Sequence, residues 1–267
     1  MVRFHRQLGD AADALVVHGR HTMADELEKR GIALSKIHQI VHGTPDAHTV
    51  DREAARVQLG IPSGSPVLLY IGFIHPQKNV HTILLWFRRL LRQVPNCCLY
   101  LVGSVQNPIL TNRARLKALK WIIRINGLAG SVIFRENYVP VQETSTLYAA
   151  ADLVLLPSAQ RYDSARGVVH DSFAAGRVPL CSRSPKFAVV GTAIDPGLLV
   201  STYSLRAWSD TSRNCLKTRH VSLGVASVCA MSLRKRRGVA LRRNIGIYTR
   251  ESLRIHAVDN QDYVPLG

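Results

Sequence analysis

The 267-residue sequence predicts an α/β fold, a doubly wound parallel sheet covered by helices on both faces. Three observations predict it. Five short apolar runs, "PVLLYIG" (66–72), "CCLYLVG" (97–103), "SVIFRE" (131–136), "DLVLLP" (152–157) and "VPLCS" (178–182), lack the alternation of a strand that faces water on one side. Helical patterns separate each run from the next, and strands spaced by helices imply parallel crossovers. Composition agrees: 46% apolar and 20% charged residues suit a chain with a packed interior.

Taken in order, "ALVVHG" (14–19) reads as a strand, followed by a helix over about 21–31 and a second strand in "KIHQIVHG" (36–43). "TPDAHTVDRE" is polar and carries a proline, which marks a hinge between domains. A short helix at 51–59 leads into the first buried strand, and the helix over about 79–94 connects it to the second. The helix over about 112–126 has two faces. Leu116, Leu119 and Ile123 form a core stripe, while Arg113, Lys117, Lys120 and Arg124 form a basic one. A solvated face, a contact with anionic lipid and a contact with nucleic acid all fit that basic stripe. A helix at 142–150 precedes "DLVLLP", and one starting near Ser164–Gly167 precedes "VPLCS". Beyond about 210 no amphipathic period is sustained. An irregular helix, an unstructured tail and sequence that no longer matches the fold are all open there.

Charge and cysteines bound the partners. Lys and Arg number 35 against 18 Asp and Glu, a formal net charge of +17, and residues 201–267 hold 12 of the basic residues against 4 acidic ones. Such a balance favours anionic partners, whether nucleotides, acidic lipid surfaces or nucleic acid. The five cysteines (97, 98, 181, 215, 229) have no paired CxxC spacing, so reduced thiols are expected, and no metal site. No apolar run reaches the roughly 18–20 residues needed to span a bilayer. The basic start "MVRFHRQLGDAADALVVHG" has too short and interrupted an apolar part for a signal peptide. The expected location is cytoplasmic, with a peripheral position at a membrane surface as the variant.

Ligands of an open parallel sheet bind beyond the carboxyl ends of its strands. Three such ends carry suggestive residues. In "IGFIHPQKN", Gly72 closes a strand where a phosphate can approach the backbone, and Lys78 offers a point charge before the next helix; a plain turn reads the same way. In "LVGS", Gly103 leaves similar room. No GxGxxG follows a strand and no GxxxxGK[ST] occurs, which removes the main support for nicotinamide and P-loop readings. The third end, "DSARGVVHDSFAAG" (163–176), leads into a helix whose first N–H groups, near Arg166, Gly167 and Val168, suit a diphosphate. Asp171 lies about one turn in, within reach of a ribose hydroxyl. Eight residues at ~100° each bring Asp163 and Asp171 within about 80° of the same face. A helix cap is the plain alternative for Asp163.

Residues 12 to about 209, through "ADALVVHGRHTMADELEKRGI", "KIHQIVHGTPD", "LLYIGFIHPQKNVHTILLWFRRLLRQVPNCCLYLVGS", "LYAAADLVLLP" and "DSARGVVHDSFAAGRVPLCSRSPKF", resemble the retaining glycosyltransferases of family 4. These are the group 1 transferases with the two-domain GT-B fold, and the likeness is nearest to their mannosyltransferase-like branch. The resemblance implies a GDP- or UDP-sugar held as substrate by a Rossmann-like donor domain, with no metal and no cofactor. It places the family's pair of carboxylates on Asp163, facing the sugar, and Asp171, on the ribose. Gly167 and Val168 then donate to the diphosphate, beside Gly72 and Arg166, and Lys78 neutralises the leaving nucleotide. Three positions depart from the family pattern. Both carboxylates are aspartates where glutamates are usual, and Phe73 stands where a basic residue is common, with Arg166 or Arg161 to compensate.

The resemblance also implies an N-terminal acceptor domain, of which residues 1–45 correspond to the last piece; 46–60 form the linker, 61–210 the donor domain and 211–267 a basic tail. His18, His21 and His42 do not replace the histidine usual in that acceptor domain, and a truncated or frame-disrupted product is the expectation that follows. The implied reaction is transfer of a hexose, mannose among them, to a glycan or lipid-linked acceptor with retention. A nucleotide-binding remnant without an acceptor site and a sugar-nucleotide epimerase of the same fold are the alternatives. A nucleic-acid role resting on 213–243 lacks interleaved aromatics and any named motif, and is set aside.

Overall fold

A computed structural model describes residues 2–17, 23–39, 50–105, 110–159 and 167–218. Helix α1 (Val2–Ala11), strand β1 (Leu15–Val17), helix α2 (Met23–Lys29) and strand β2 (Ile37–Gln39) come first, and β1 pairs with β2 in parallel. The Lys36 ammonium donates to the carbonyls of Gly9 and Ala12, each at 2.9 Å, and so satisfies acceptors left open where α1 ends. Helix α1 is a difference from the sequence expectation, which finds in that stretch only a short, interrupted apolar part.

Helix α3 (Arg52–Gln58) starts on an Asp51 cap, whose side chain accepts from the Ala54 N–H at 2.8 Å. The main sheet then holds β3 (Val67–Ile71), β4 (Cys98–Val102), β5 (Val132–Arg135), β6 (Leu153–Leu156), β7 (Val178–Ser182) and β8 (Leu199–Val200), every pairing parallel. Helices α4 (Val80–Leu91), α5 (Leu110–Ile125), α6 (Val141–Ala150), α7 (Gly167–Ala174), α8 (Ala188–Ala193) and α9 (Leu205–Lys217) complete the chain described. The strand order β5-β4-β3-β6-β7-β8 is that of a Rossmann-like sheet. Its order reverses between β3 and β6, and ligands of open α/β sheets bind beyond the carboxyl ends at such a reversal.

The continuous apolar strands are explained by two cores. Leu68, Tyr70, Leu99 and Leu101 pack with Trp86, Phe87 and Leu90 of α4, Leu119 and Ile123 of α5 and Trp208 of α9. The intervening Val67, Leu69, Tyr100 and Val102 face the opposite way, onto Ala55 of α3 and Leu147 and Tyr148 of α6. Strand residues alternate between two faces, and here both faces are dry. Burial pushes the Cys97, Cys98 and Cys181 thiols up, and that of Cys215 to about 11, so all four stay protonated near neutrality.

Helix α9 runs seven residues past the point, about 210, where the sequence pattern fades. Trp208 stacks on Trp86 with centroids 5.8 Å apart and planes at 20°, and its indole N–H donates to the Ser201 carbonyl at 3.1 Å. The rest of the basic tail, from 219, lies outside the described residues, as does Cys229. Among the described residues no helix is long and apolar enough to cross a membrane.

Candidate functional site

The candidate site lies at the carboxyl ends of β3, β4, β6 and β7, beside the point where strand order reverses. Gly72 has φ +147°, a conformation that side chains disfavour, and the ladder continues past it: its N–H donates to Val102 at 3.1 Å and that of Ile74 to Ser104 at 2.8 Å. A Cβ on Gly103 would lie 2.5 Å from the Gly72 carbonyl oxygen. The glycine at 103 therefore answers to the close approach of two strand ends, where the sequence reading expected room for a ligand. A small cavity of about 110 Å³ opens beside this pair, lined also by Phe73, Ser104, Asn137 and Tyr138.

Lys78 ends a 3-10 turn, Pro76–Lys78, and is half-buried. Asn79 follows with φ +48°, one of the few side chains that tolerate this region, and turns the chain into α4. The neighbouring Gln77 carbonyl accepts from the Ala159 N–H at 2.9 Å and from the Ser158 hydroxyl at 3.2 Å. The turn that carries Lys78 is thus bound to the segment that leaves β6.

Helix α7 places Gly167 and Val168 in its first turn. Asp171 folds its carboxylate back over that turn: one oxygen lies 3.8 Å from where a Gly167 Cβ would sit. The buried Tyr148 phenol hydrogen-bonds the same carboxylate. Burial, then the Asp171 charge and this hydrogen bond, push the Tyr148 phenol well above its usual range, so it remains a donor. Asp171 is therefore a directed acceptor at a helix N-terminus. Asp163, Arg161 and Arg166 lie outside the described residues, and so do His18, His21 and His42.

Tyr148, Ser158, Ser182 and Lys186 are not among the site residues that the sequence singles out. Lys186 is 5% exposed, lies 5.1 Å over the Phe187 ring and donates to the Ser158 hydroxyl. The Ser158 N–H donates to the Ser182 hydroxyl at 2.7 Å. This cluster locks β6, β7 and the Lys78 turn together. One signal was available: "SPK" after β7 repeats the plan of "HPQK" after β3, a proline-led 3-10 turn ending beside a lysine. Among the described residues no group of three or more His, Cys, Asp or Glu stands ready for a metal ion.

A helix N-terminus with an oriented carboxylate, and a half-buried lysine in the turn after β3, suit an anion that also carries hydroxyls. Comparison with known proteins gives the arrangement a context. Residues 51–223 match the family described as glycosyl transferases group 1. A D-inositol 3-phosphate glycosyltransferase of Corynebacterium aurimucosum is 28% identical over 238 residues, covering 84% of this chain and 53% of the relative. Anabaena Alr3699/HepE, solved in complex with UDP, superposes with a TM-score of 0.72 at 17% identity, over 87% of this chain and 62% of its own. The C-terminal domain of a group 1 glycosyl transferase (LpcC) from Francisella tularensis gives 0.60 at 15% identity, over 72% of this chain and 96% of its own. The chain spans about half the length of the curated relatives it matches.

Proposed function

Because the chain belongs to the glycosyl transferases group 1, we propose that its sheet is the donor-binding part of a glycosyltransferase that uses a nucleotide sugar. One observation carries the reading: the Asp171 carboxylate reaches back over the first turn of α7, where it meets the Tyr148 phenol. In this reading Asp171 accepts from the ribose hydroxyls. The N–H groups of Gly167 and Val168 take the diphosphate, which approaches the backbone at Gly72. Lys78 and Arg166 offset the charge that grows as the nucleoside diphosphate leaves, and Asp163 faces the sugar. Electrostatic stabilisation of that kind needs no metal.

UDP is the favoured nucleotide, with GDP as the alternative, since HepE is solved with UDP and with UDP-glucose. The transferred group is a hexose, mannose or glucose, passed with retention to a glycan or lipid-linked acceptor. The names of the curated relatives add a phosphorylated inositol to that acceptor class. The location we propose is cytoplasmic, with peripheral contact to an anionic membrane surface through α5, whose outer face exposes Arg113, Lys117, Arg124, Trp121 and Ile125.

Calorimetric titration of UDP, GDP and their sugars tests the donor reading. The wild type is expected to bind one nucleotide, and Asp171→Ala to weaken it at least tenfold. No nucleotide binding by the wild type would overturn the reading. Donor hydrolysis without transfer to any acceptor would favour the alternative, a nucleotide-binding remnant.

A further inference from the structure

The sheet has a second pocket at its other end. A cavity of about 570 Å³ opens at the amino ends of β3, β6 and β7, away from the carboxyl ends that form the candidate donor site. Three guanidinium groups line it, from Arg52 and Arg56 of α3 and from Arg177 in the turn before β7. Of the two carboxylates among its lining residues, Asp152 is fully engaged. One of its oxygens takes Arg52, and the other takes Arg56 at 2.8 Å and the Val67 N–H at 2.7 Å. Glu53 stands on the solvated rim, 4.0 Å from Arg52 with its side chain 66% exposed.

Arg177 is left over. Its Nε is buried and has no hydrogen-bond partner among the described residues, and the same holds for the Nε of Arg52. A desolvated guanidinium with donors unused is costly unless an anion meets it. Burial, then the Arg52 charge, lower the Arg177 pKa; Asp152 opposes them in part and Arg56 adds to them, so the balance stays against the charged guanidinium. Two glycines of the wall leave their backbone open: Gly64 (φ +74°) and Gly176 (φ +63°) have nothing within 4 Å of where a Cβ would be. Bare backbone and planar guanidinium forks are what phosphate oxygens use. Ligand pockets run to roughly 300–1,000 Å³, so this one has room for more than a bare ion.

We propose that the cavity at the amino ends of β3, β6 and β7 is a second ligand site, which binds a phosphate monoester of a small molecule through Arg177, Arg52 and Arg56. It lies apart from the proposed nucleotide site and does not depend on it. A ligand there bridges α3, which precedes the sheet, to the turn between α7 and β7.

The test titrates inorganic phosphate and glucose 6-phosphate calorimetrically into the full 267-residue chain and into Arg177→Gln, Arg177→Lys and Lys78→Gln. The wild type is expected to bind glucose 6-phosphate, and phosphate more weakly. Arg177→Gln should weaken both at least tenfold, Arg177→Lys should lose less, and Lys78→Gln should keep the binding that Arg177→Gln loses. Undiminished binding by Arg177→Gln, or a loss confined to Lys78→Gln, would overturn the site, as would a wild type that binds neither probe. Thermal unfolding in phosphate-free buffer separates ligand binding from a structural role. Arg177→Gln should melt no lower than the wild type there, and a lower Tm for both Arg177 variants would make the residue structural instead.

Discussion

Tyr148 directs the carboxylate of Asp171. Its ring is buried among the alanines of α6 and the strands beneath, and its hydroxyl meets Asp171 on a different helix. Tyr148→Phe keeps the ring and removes the donor. A hydrogen bond to a charged group contributes about 1.5–3 kcal/mol, part of which the freed carboxylate recovers from water. The variant is therefore expected to stay folded and to bind UDP about three- to tenfold more weakly, measured by calorimetry beside Asp171→Ala. An unchanged affinity would reduce Tyr148 to a packing role. The place of Asp171 about one turn into a helix was legible because that spacing is local to "DSARGVVHDSFAAG". Tyr148 was not, because in "STLYAAADL" it reads as one more core residue, and only the fold brings its hydroxyl to α7. Lys186 was hidden for a related reason. A lysine near a strand end reads as solvated surface, whereas the folded chain seats it under Ser158 and against Phe187.

At the scale of elements, what the sequence announced and what it hid differ in how each element is buried. The five strands that the apolar runs marked are all in the sheet, since a strand covered on both faces has little choice but to be apolar along its length. β8 escaped notice because it is two residues long. α9 escaped because its inward face is made partly of small polar residues: Ser209 and Ser212 are fully buried beside Trp208, so no apolar period shows. Its attachment to α4 then rests heavily on the stacked Trp208–Trp86 pair. Trp208→Ala removes a fully buried indole and is expected to cost about 3–5 kcal/mol, as large-to-small core changes do. Urea unfolding should show the loss as a lower midpoint with an unchanged slope. A cost below about 1 kcal/mol would mean that α9 is held by other contacts.

The whole molecule carries a formal charge of +17, enough to draw it toward any anionic surface, so membrane attraction by itself identifies no face. α5 makes a sharper statement. Its basic stripe keeps Arg113, Lys117 and Arg124 exposed, while Lys120 is drawn into an ion pair with Glu136. Beside the stripe stand Trp121, 61% exposed, and Ile125, 55% exposed, the amphipathic pairing used at lipid interfaces. Each basic side chain near an anionic bilayer contributes about 1 kcal/mol, so reversing two of them should weaken partitioning well over tenfold. Lys117→Glu with Arg124→Glu is therefore expected to abolish co-sedimentation with phosphatidylglycerol vesicles at low salt. Arg206→Glu with Lys217→Glu, an equal change in net charge on the exposed side of α9, should leave most of it. The sequence has three tryptophans, and Trp86 and Trp208 are fully buried, so a blue shift of emission on vesicle addition would report Trp121 entering the interface. That shift should vanish with the α5 reversals and shrink as salt shortens the Debye length. Equal losses from both double variants, with Trp121 emission unmoved, would show an attraction spread over the whole surface and remove α5 as the docking face.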